Sequence, residues 1–289
     1  LPVAYLVVRT ATAAADAWLV LLRPSTGAAL GRTAVLAASA VACSLAVGLP
    51  LAWLTHATDL PGRRAWRVVL ALPMVLPSYV GAYLYAAALG PRGLLQRLAA
   101  EHVGIERLPS IYGLPGALLA VTAVCYPFVM LTAQSALRRM DPALFDAARS
   151  LGDRPVAAAR RIVLPQLRPA VASGALLVAL YAARDFGAVS IMRYETLARG
   201  VFTQYRSAFD RNGAAAWSLL LLALVIGILA VERWAGRGSA LRAAPPRRVG
   251  PLAAAPLGPW RLPALLLCAA VAGIALVLPA GMLCYWLVR

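Results

Sequence analysis

Polar and apolar residues in this chain alternate in long blocks, not in the every-second-position rhythm of strands. Apolar runs fall at about residues 34–55, 68–89, 113–136, 170–192 and 214–232, with a further run at 262–288. At 1.5 Å rise per residue, about 19 residues or more can cross roughly 30 Å of hydrocarbon as a helix. No strand-type alternation persists, which argues against a barrel. The pattern predicts an all-α, polytopic transmembrane bundle with five core spanning helices plus flanking helices.

The longest polar interruption is 137–169, LRRMDPALFDAARSLGDRPVAAARRIVLPQLRP. Asp141 is a good N-cap, and Pro142 follows at the first helical position, where its missing N–H costs nothing. Ala143 to Leu151 contain no breaker, and Gly152 can adopt the left-handed conformation that stops a helix. Asp153 can start a second short helix reaching about Arg161, after which Pro165 and Pro169 reset the chain. Two short helices joined at a glycine, lying flat against a membrane face, are the expectation.

Composition strengthens the membrane reading: 62% of residues are hydrophobic and the mean hydropathy is +0.75. The net charge of +17 comes from 28 arginines with no lysine. In a soluble chain such a balance would suggest nucleic acid. Here the arginines sit between apolar runs, as topology signals and headgroup contacts do. With 137–169 on the cytoplasmic side, the loops on that face carry 16 arginines and those opposite carry ten. The bias follows the positive-inside rule. Residues 235–261, rich in Arg, Pro, Gly and Ala, look like a flexible cytoplasmic linker.

Enzymatic chemistry finds no support. His56 and His102 are the only histidines and lie in predicted loops, too far apart for a His-based metal site. Cys43, Cys125, Cys268 and Cys284 all fall in apolar runs without a CxxC pair, as buried inert thiols would. No Walker A loop, Gly-rich phosphate loop or HExxH occurs. A chain that moves a solute uphill must therefore take its energy from a partner, and no cofactor or metal is expected on this one.

Three polar spots lie within the apolar runs. Pro73 and Pro77 interrupt the second run one turn apart, followed by Ser78, Tyr79 and Tyr83. A broken helix of this kind is tolerated where neighbours or a wet cavity satisfy the freed carbonyls, so these residues are candidates for a translocation path. Arg184-Asp185-Phe186-Gly187 places an acid about three-quarters of the way across, counting from Ala170. A charge there must face protein or water, so Asp185 is expected to pair with another helix or to border an outer gate. Tyr126-Pro127 suggests a simple kink.

The polar loop also carries a resemblance. Asp146-Ala147-Ala148, three residues, Gly152, nine residues, then Ile162-Val163-Leu164-Pro165 resembles the EAA signature of membrane permeases in binding-protein-dependent ABC importers, with Asp146 in place of Glu. The segments around 50–83, DPALFDAARSLG and RDFGAVSIMRYETLARGVFTQY are similar to the fused ferric-iron permeases. Those usually have Gly-Glu-Phe-Gly where this chain has Arg184-Asp185-Phe186-Gly187. The resemblance implies a cytoplasmic coupling-helix loop that docks on an ATP-binding subunit. In that role Asp146, Arg160 and Arg161 make polar contacts, Ala147 and Ala148 permit close approach, Gly152 sets the bend, and Ile162, Leu164 and Pro165 complete the motif.

It further implies that ATP and Mg are bound by that partner, that a periplasmic or extracellular solute-binding protein delivers the substrate, and that the chain is multi-pass in the bacterial cytoplasmic membrane. Ferric iron is the substrate the similarity suggests; thiamine, phosphonate or polyamine, or an ion-coupled secondary carrier, are the alternatives. The opening LPVAYLVVR and the closing LPAGMLCYWLVR are faintly alike. On that reading residues 1–234 form a first permease repeat whose first helix is only partly present. Residues 235–261 are then the linker and 262–289 the first helix of a second half, the other half lying in the same chain or in a homo- or heterodimer.

Overall fold

The structure is a computed structural model that describes residues 6, 8–10, 20–91, 93–104, 109–140, 150, 161, 163–206, 210–236 and 255–288. Among these the secondary structure is helical apart from one isolated bridge. The helices are α1 (Pro24–Ala57), α2 (Arg63–Val69), α3 (Ser78–Leu89), α4 (Leu94–Val103), α5 (Leu114–Arg138), α6 (Leu164–Arg184), α7 (Gly187–Ile191), α8 (Leu197–Arg206), α9 (Arg211–Gly236), α10 (Arg261–Ala272) and α11 (Leu278–Val288). A 3₁₀ turn, Leu72–Val75, lies between α2 and α3, and a π turn, Gly273–Val277, joins α10 to α11.

Five helical stretches are long and apolar enough to cross a membrane: Pro24–Ala57, Leu114–Arg138, Leu164–Arg184, Arg211–Trp234 and Gly258–Val288. The expected run 68–89 is not one of them. It is a broken pair, Arg63–Val75 and Ser78–Arg97, bent by 96°. Pro73 has no N–H to continue the ladder, so the chain tightens into the 3₁₀ turn and restarts at Ser78 after Pro77.

Helix α5 is the most enclosed span, lying between α1 and α6. Apolar surface alone drives little association in lipid, so close approach through small residues decides the packing. A Cβ on Gly48 of α1 would stand 2.8 Å from the Tyr126 carbonyl oxygen, and one on Gly174 of α6 would stand 2.7 Å from the Thr132 hydroxyl and 3.0 Å from Val129 Cα. Alanines 117, 120 and 133 of α5 are equally buried.

Four sequence expectations need correction. Pro165 and Pro169 do not reset the chain: α6 begins at Leu164, with Pro165 in its first turn, where no donor is required, and Pro169 inside it. Asp185 therefore lies at the end of α6, not three-quarters of the way along a span. His56 is not in a loop but buried in the last turn of α1. Of the cysteines, Cys125 and Cys268 are buried, Cys43 is half-buried, and Cys284 is exposed.

The described end of the expected linker is docked. Ala255 N–H donates to Ala57 O at 2.9 Å and Asp59 N–H to Ala255 O at 3.2 Å, forming the bridge between Thr58 and Ala255. The Asp59 carboxylate accepts from Leu257 N–H at 2.8 Å and from the Arg261 guanidinium. These two partners hold the Asp59 carboxyl below the usual carboxylate range, Arg261 contributing most.

Candidate functional site

Helix α6 connects the two regions singled out in the sequence. Its 21 residues span roughly 31 Å at 1.5 Å per residue. The polar loop 141–162 enters at its N-terminal end, and the Arg184-Asp185 pair closes its C-terminal end.

Of the loop residues, Asp146, Ala147, Ala148, Gly152, Arg160 and Ile162 lie outside the described residues, as do the two short helices expected there. Its base is described. Leu137 and Met140, just before the loop, meet Val163 and Leu167, just after it, in a small buried cluster backed by Trp53 of α1. The two ends of the loop are thus clasped together by apolar contact at one face of the bundle. Arg161, Leu164 and Pro165 face outward, with Leu164 half exposed.

At the other end of α6 the break at Asp185 opens a cavity of about 630 Å³, lined by Ser78, Tyr79, Tyr181, Arg184, Asp185, Phe186, Gly187, Ser190 and Ile191. Three residues predicted from the sequence, Ser78, Tyr79 and Asp185, converge here although more than 100 positions separate Asp185 from the other two. The approach depends on Gly187, where a Cβ would lie 2.7 Å from Tyr79 Cβ. Pro77 matters indirectly, because its restart of the chain places Ser78 and Tyr79 at the first turn of α3.

Not every predicted path residue joins the cavity. Pro73 is buried at the break, and Pro77 is exposed beside it. Tyr83 packs instead at a tilt against Trp286 of α11, ring centroids 5.4 Å apart. The sequence reading missed Tyr181, Ser190 and Ile191. Tyr181 lies one helical turn before Asp185, a spacing that could have pointed to it.

The carboxylate of Asp185 is buried and turned into the protein. Its Oδ1 accepts the Ala188 N–H at 2.8 Å, the Val189 N–H adds to the same cradle, and the Ser78 hydroxyl interacts with it. Asp185 thereby caps α7 and fastens α3 to the α6–α7 junction. Arg184 points elsewhere: its side chain is exposed, with the guanidinium carbon 5.8 Å from the centre of the Tyr181 ring. The Ser190 hydroxyl oxygen has no hydrogen-bond partner in the structure. Among the described residues no three His, Cys, Asp or Glu side chains come together as metal ligands would.

The pattern of the family described as "Binding-protein-dependent transport system inner membrane component" matches residues 44–237. The chain is 28% identical over 209 residues to the Fe(3+)-transport system permease protein FbpB 2 of Haemophilus influenzae, covering 72% of this chain and 38% of that protein. It is 32% identical to a probable molybdenum ABC transporter permease of Haloferax volcanii, over 64% of this chain and 66% of that one. It is 30% identical to the molybdenum transport system permease protein ModB of Escherichia coli, over 71% and 90%. The chain thus spans well under half of the first relative and most of the last. Among solved structures, a bacterial ABC transporter for alginate import superposes with a TM-score of 0.62 at 15% identity, over 79% of this chain and 84% of that chain. The MetNI methionine ABC transporter gives 0.59 at 17%, over 78% and 99%. At such identities the superpositions establish the fold alone.

Proposed function

This chain belongs to the family of binding-protein-dependent transport system inner membrane components, and from that premise we propose that it is the permease subunit of an ABC importer. The match over residues 44–237 carries the reading. It spans α3, α5 and α6, the elements that hold both the loop base and the cavity. A separate ATP-binding subunit docks on the 141–165 loop, and a periplasmic or extracellular binding protein delivers cargo to the opposite face. The work of ATP-driven closure enters at the clasp of Leu137, Met140, Val163 and Leu167 and travels along α6 to the cavity. A second half, in the same or another chain, completes the pathway; residues 1–234, 235–261 and 262–289 remain our division of this chain.

For the cargo we propose a small inorganic ion. Ferric iron follows from the resemblance to the fused iron permeases and from the Haemophilus influenzae relative. Oxyanions follow from the molybdenum and sulfate permeases among the relatives, and one observation favours them, the arginine on the cavity wall.

Reconstitution with an ATP-binding subunit and a solute-binding protein in liposomes tests the reading. Uptake that requires ATP and stops with a hydrolysis-deficient ATPase is expected. Uptake driven by an ion gradient with no ATPase present would overturn the importer assignment in favour of a secondary carrier.

A further inference from the structure

The span Gly258–Val288 carries Pro279 inside it. Proline has no N–H, so one carbonyl of the preceding turn goes without a donor from its own helix. Which carbonyl depends on how that turn is wound. In α geometry Leu278 N–H donates to Ile274 O, four residues back, and Pro279 leaves Ala275 O bare. In the structure Gly273–Val277 is a π turn, and Leu278 N–H donates to Gly273 O, five residues back. Ile274 O thereby loses its α donor, and its π donor would be position 279, the proline. The hydroxyl of Tyr85, a buried side chain of α3, takes the vacant place and donates to Ile274 O at 2.9 Å. Each winding thus leaves one carbonyl for a neighbouring element to satisfy, since lipid offers no donor. The Tyr85 hydroxyl favours the π form, because there Ile274 O has no donor of its own.

The π turn also divides the span between two bodies. Ala264, Cys268 and Ala272 of α10 belong to the main buried core with α1 and α5. Met282 of α11 packs with Leu84 and Ala88 of α3, and Trp286 lies against Tyr83. Helix α11 therefore follows α3, whose first turn carries Ser78 and Tyr79 to the cavity, while α10 stays with the core. At the joint, a Cβ on Gly273 would meet nothing within 4 Å, so the turn has room to rewind.

We propose that Gly273–Val277 is a two-register joint, held in its π form by the Tyr85 hydroxyl and rewinding to an α turn when α3 shifts in the transport cycle. Tyr85 is then a positioning residue that acts on α11 through the Ile274 carbonyl. Rewinding changes the register by one residue, which turns α11 by about 100° and moves it by about 1.5 Å relative to α10. The importer reading supplies only the motion of α3; the joint itself rests on the hydrogen bonds.

The test uses the full chain in lipid nanodiscs, with Cys43→Ala and Cys284→Ala to confine labelling. Spin labels replace Leu287 of α11 and Thr203 of α8, both exposed. Electron double resonance should give one distance in this parent. Pro279→Ala restores an N–H opposite Ala275 O, so every carbonyl of an α turn has its donor. The distance should then shift by several ångströms, because a label about 5 Å from the helix axis travels roughly 8 Å in such a rotation. Tyr85→Phe keeps the ring and removes the donor to Ile274 O, and it should populate that same shifted distance beside the parent one. A parent distance that merely broadens in Tyr85→Phe, or an unshifted distance in Pro279→Ala, would overturn the joint. Should Tyr85→Phe fail to fold, Pro279→Ala decides alone. In the complete complex with its ATP-binding subunit and binding protein, vanadate trapping should bring the parent distance to the Pro279→Ala value. A complex competent in uptake whose distance never leaves the parent value would overturn the joint's part in transport. A complex without ATP-dependent uptake overturns the importer reading instead and leaves the nanodisc result standing.

Discussion

The phenolic hydroxyl of Tyr126 donates to the backbone carbonyl of Leu70 at 2.7 Å, and both residues are fully buried. In a continuous helix that carbonyl would accept from Met74 N–H. At the break Met74 donates instead to Ala71 O at 3.3 Å. The hydroxyl from α5 therefore satisfies an acceptor that the Pro73 break has released, in a region where water is scarce. Tyr126→Phe keeps the shape and removes the donor. It should lower stability by about 0.5–2 kcal/mol, given the range for interhelical hydrogen bonds in membranes and for stranded acceptors. Unfolding in mixed micelles with rising SDS would show it as an earlier midpoint; an unchanged midpoint would mean that Leu70 O finds another donor.

Asp59 and Arg261 form a latch between the loop after α1 and the start of α10. The Asp59 carboxyl titrates below its ordinary range, so the sign is fixed. The latch is complete above the unfolded carboxyl value of about 3.9 and is lost as pH falls through the lower folded value. Spin labels at Arg64 and Pro256 should hold a short distance at neutral pH and separate in strong acid. Asp59→Asn should widen the distance at every pH, and a distance insensitive to both changes would show that the Thr58–Ala255 bridge suffices alone.

Gly187 allows α7 to approach Tyr79 without a side chain between them. Gly187→Val should force α3 and α7 apart and cost about 1–3 kcal/mol through overpacking. Uptake by the assembled complex should fall more than the yield of folded protein in detergent. Equal loss of both would reduce the glycine to a folding role.

The loop and its base should fail differently. Gly152→Pro or Gly152→Asp should uncouple ATP hydrolysis from uptake while the chain still inserts. Leu167→Ala opens a cavity in the clasp and should lower stability by about 2–5 kcal/mol, with coupling and thermal stability falling together. Normal coupled transport by the Gly152 variants would remove the loop from the energy path.

Local rules placed most of the spans, since apolar length is a property of consecutive residues. Residues 214–232 fall within the observed α9, and 113–136 match α5 to within one residue at its start. The same rules misread α6, because a proline in a first turn looks like a breaker until the helix around it is seen. They could not decide the break at Pro73, where two nearby prolines allow a kink or a sharp bend. The tertiary structure decided it: Tyr126 of α5 is there to accept the bend.

The sequence alone determined that this is a helical membrane chain with a long arginine-bearing loop, and it marked Ser78, Tyr79 and Asp185 as polar residues that an apolar run must account for. Only the tertiary structure decided that these three share one cavity with Arg184 and Ser190, and that the acid among them is turned inward while the arginine stays exposed. Hydropathy is summed along the chain, whereas the orientation of a charge depends on which N–H groups a separate element brings within hydrogen-bonding distance.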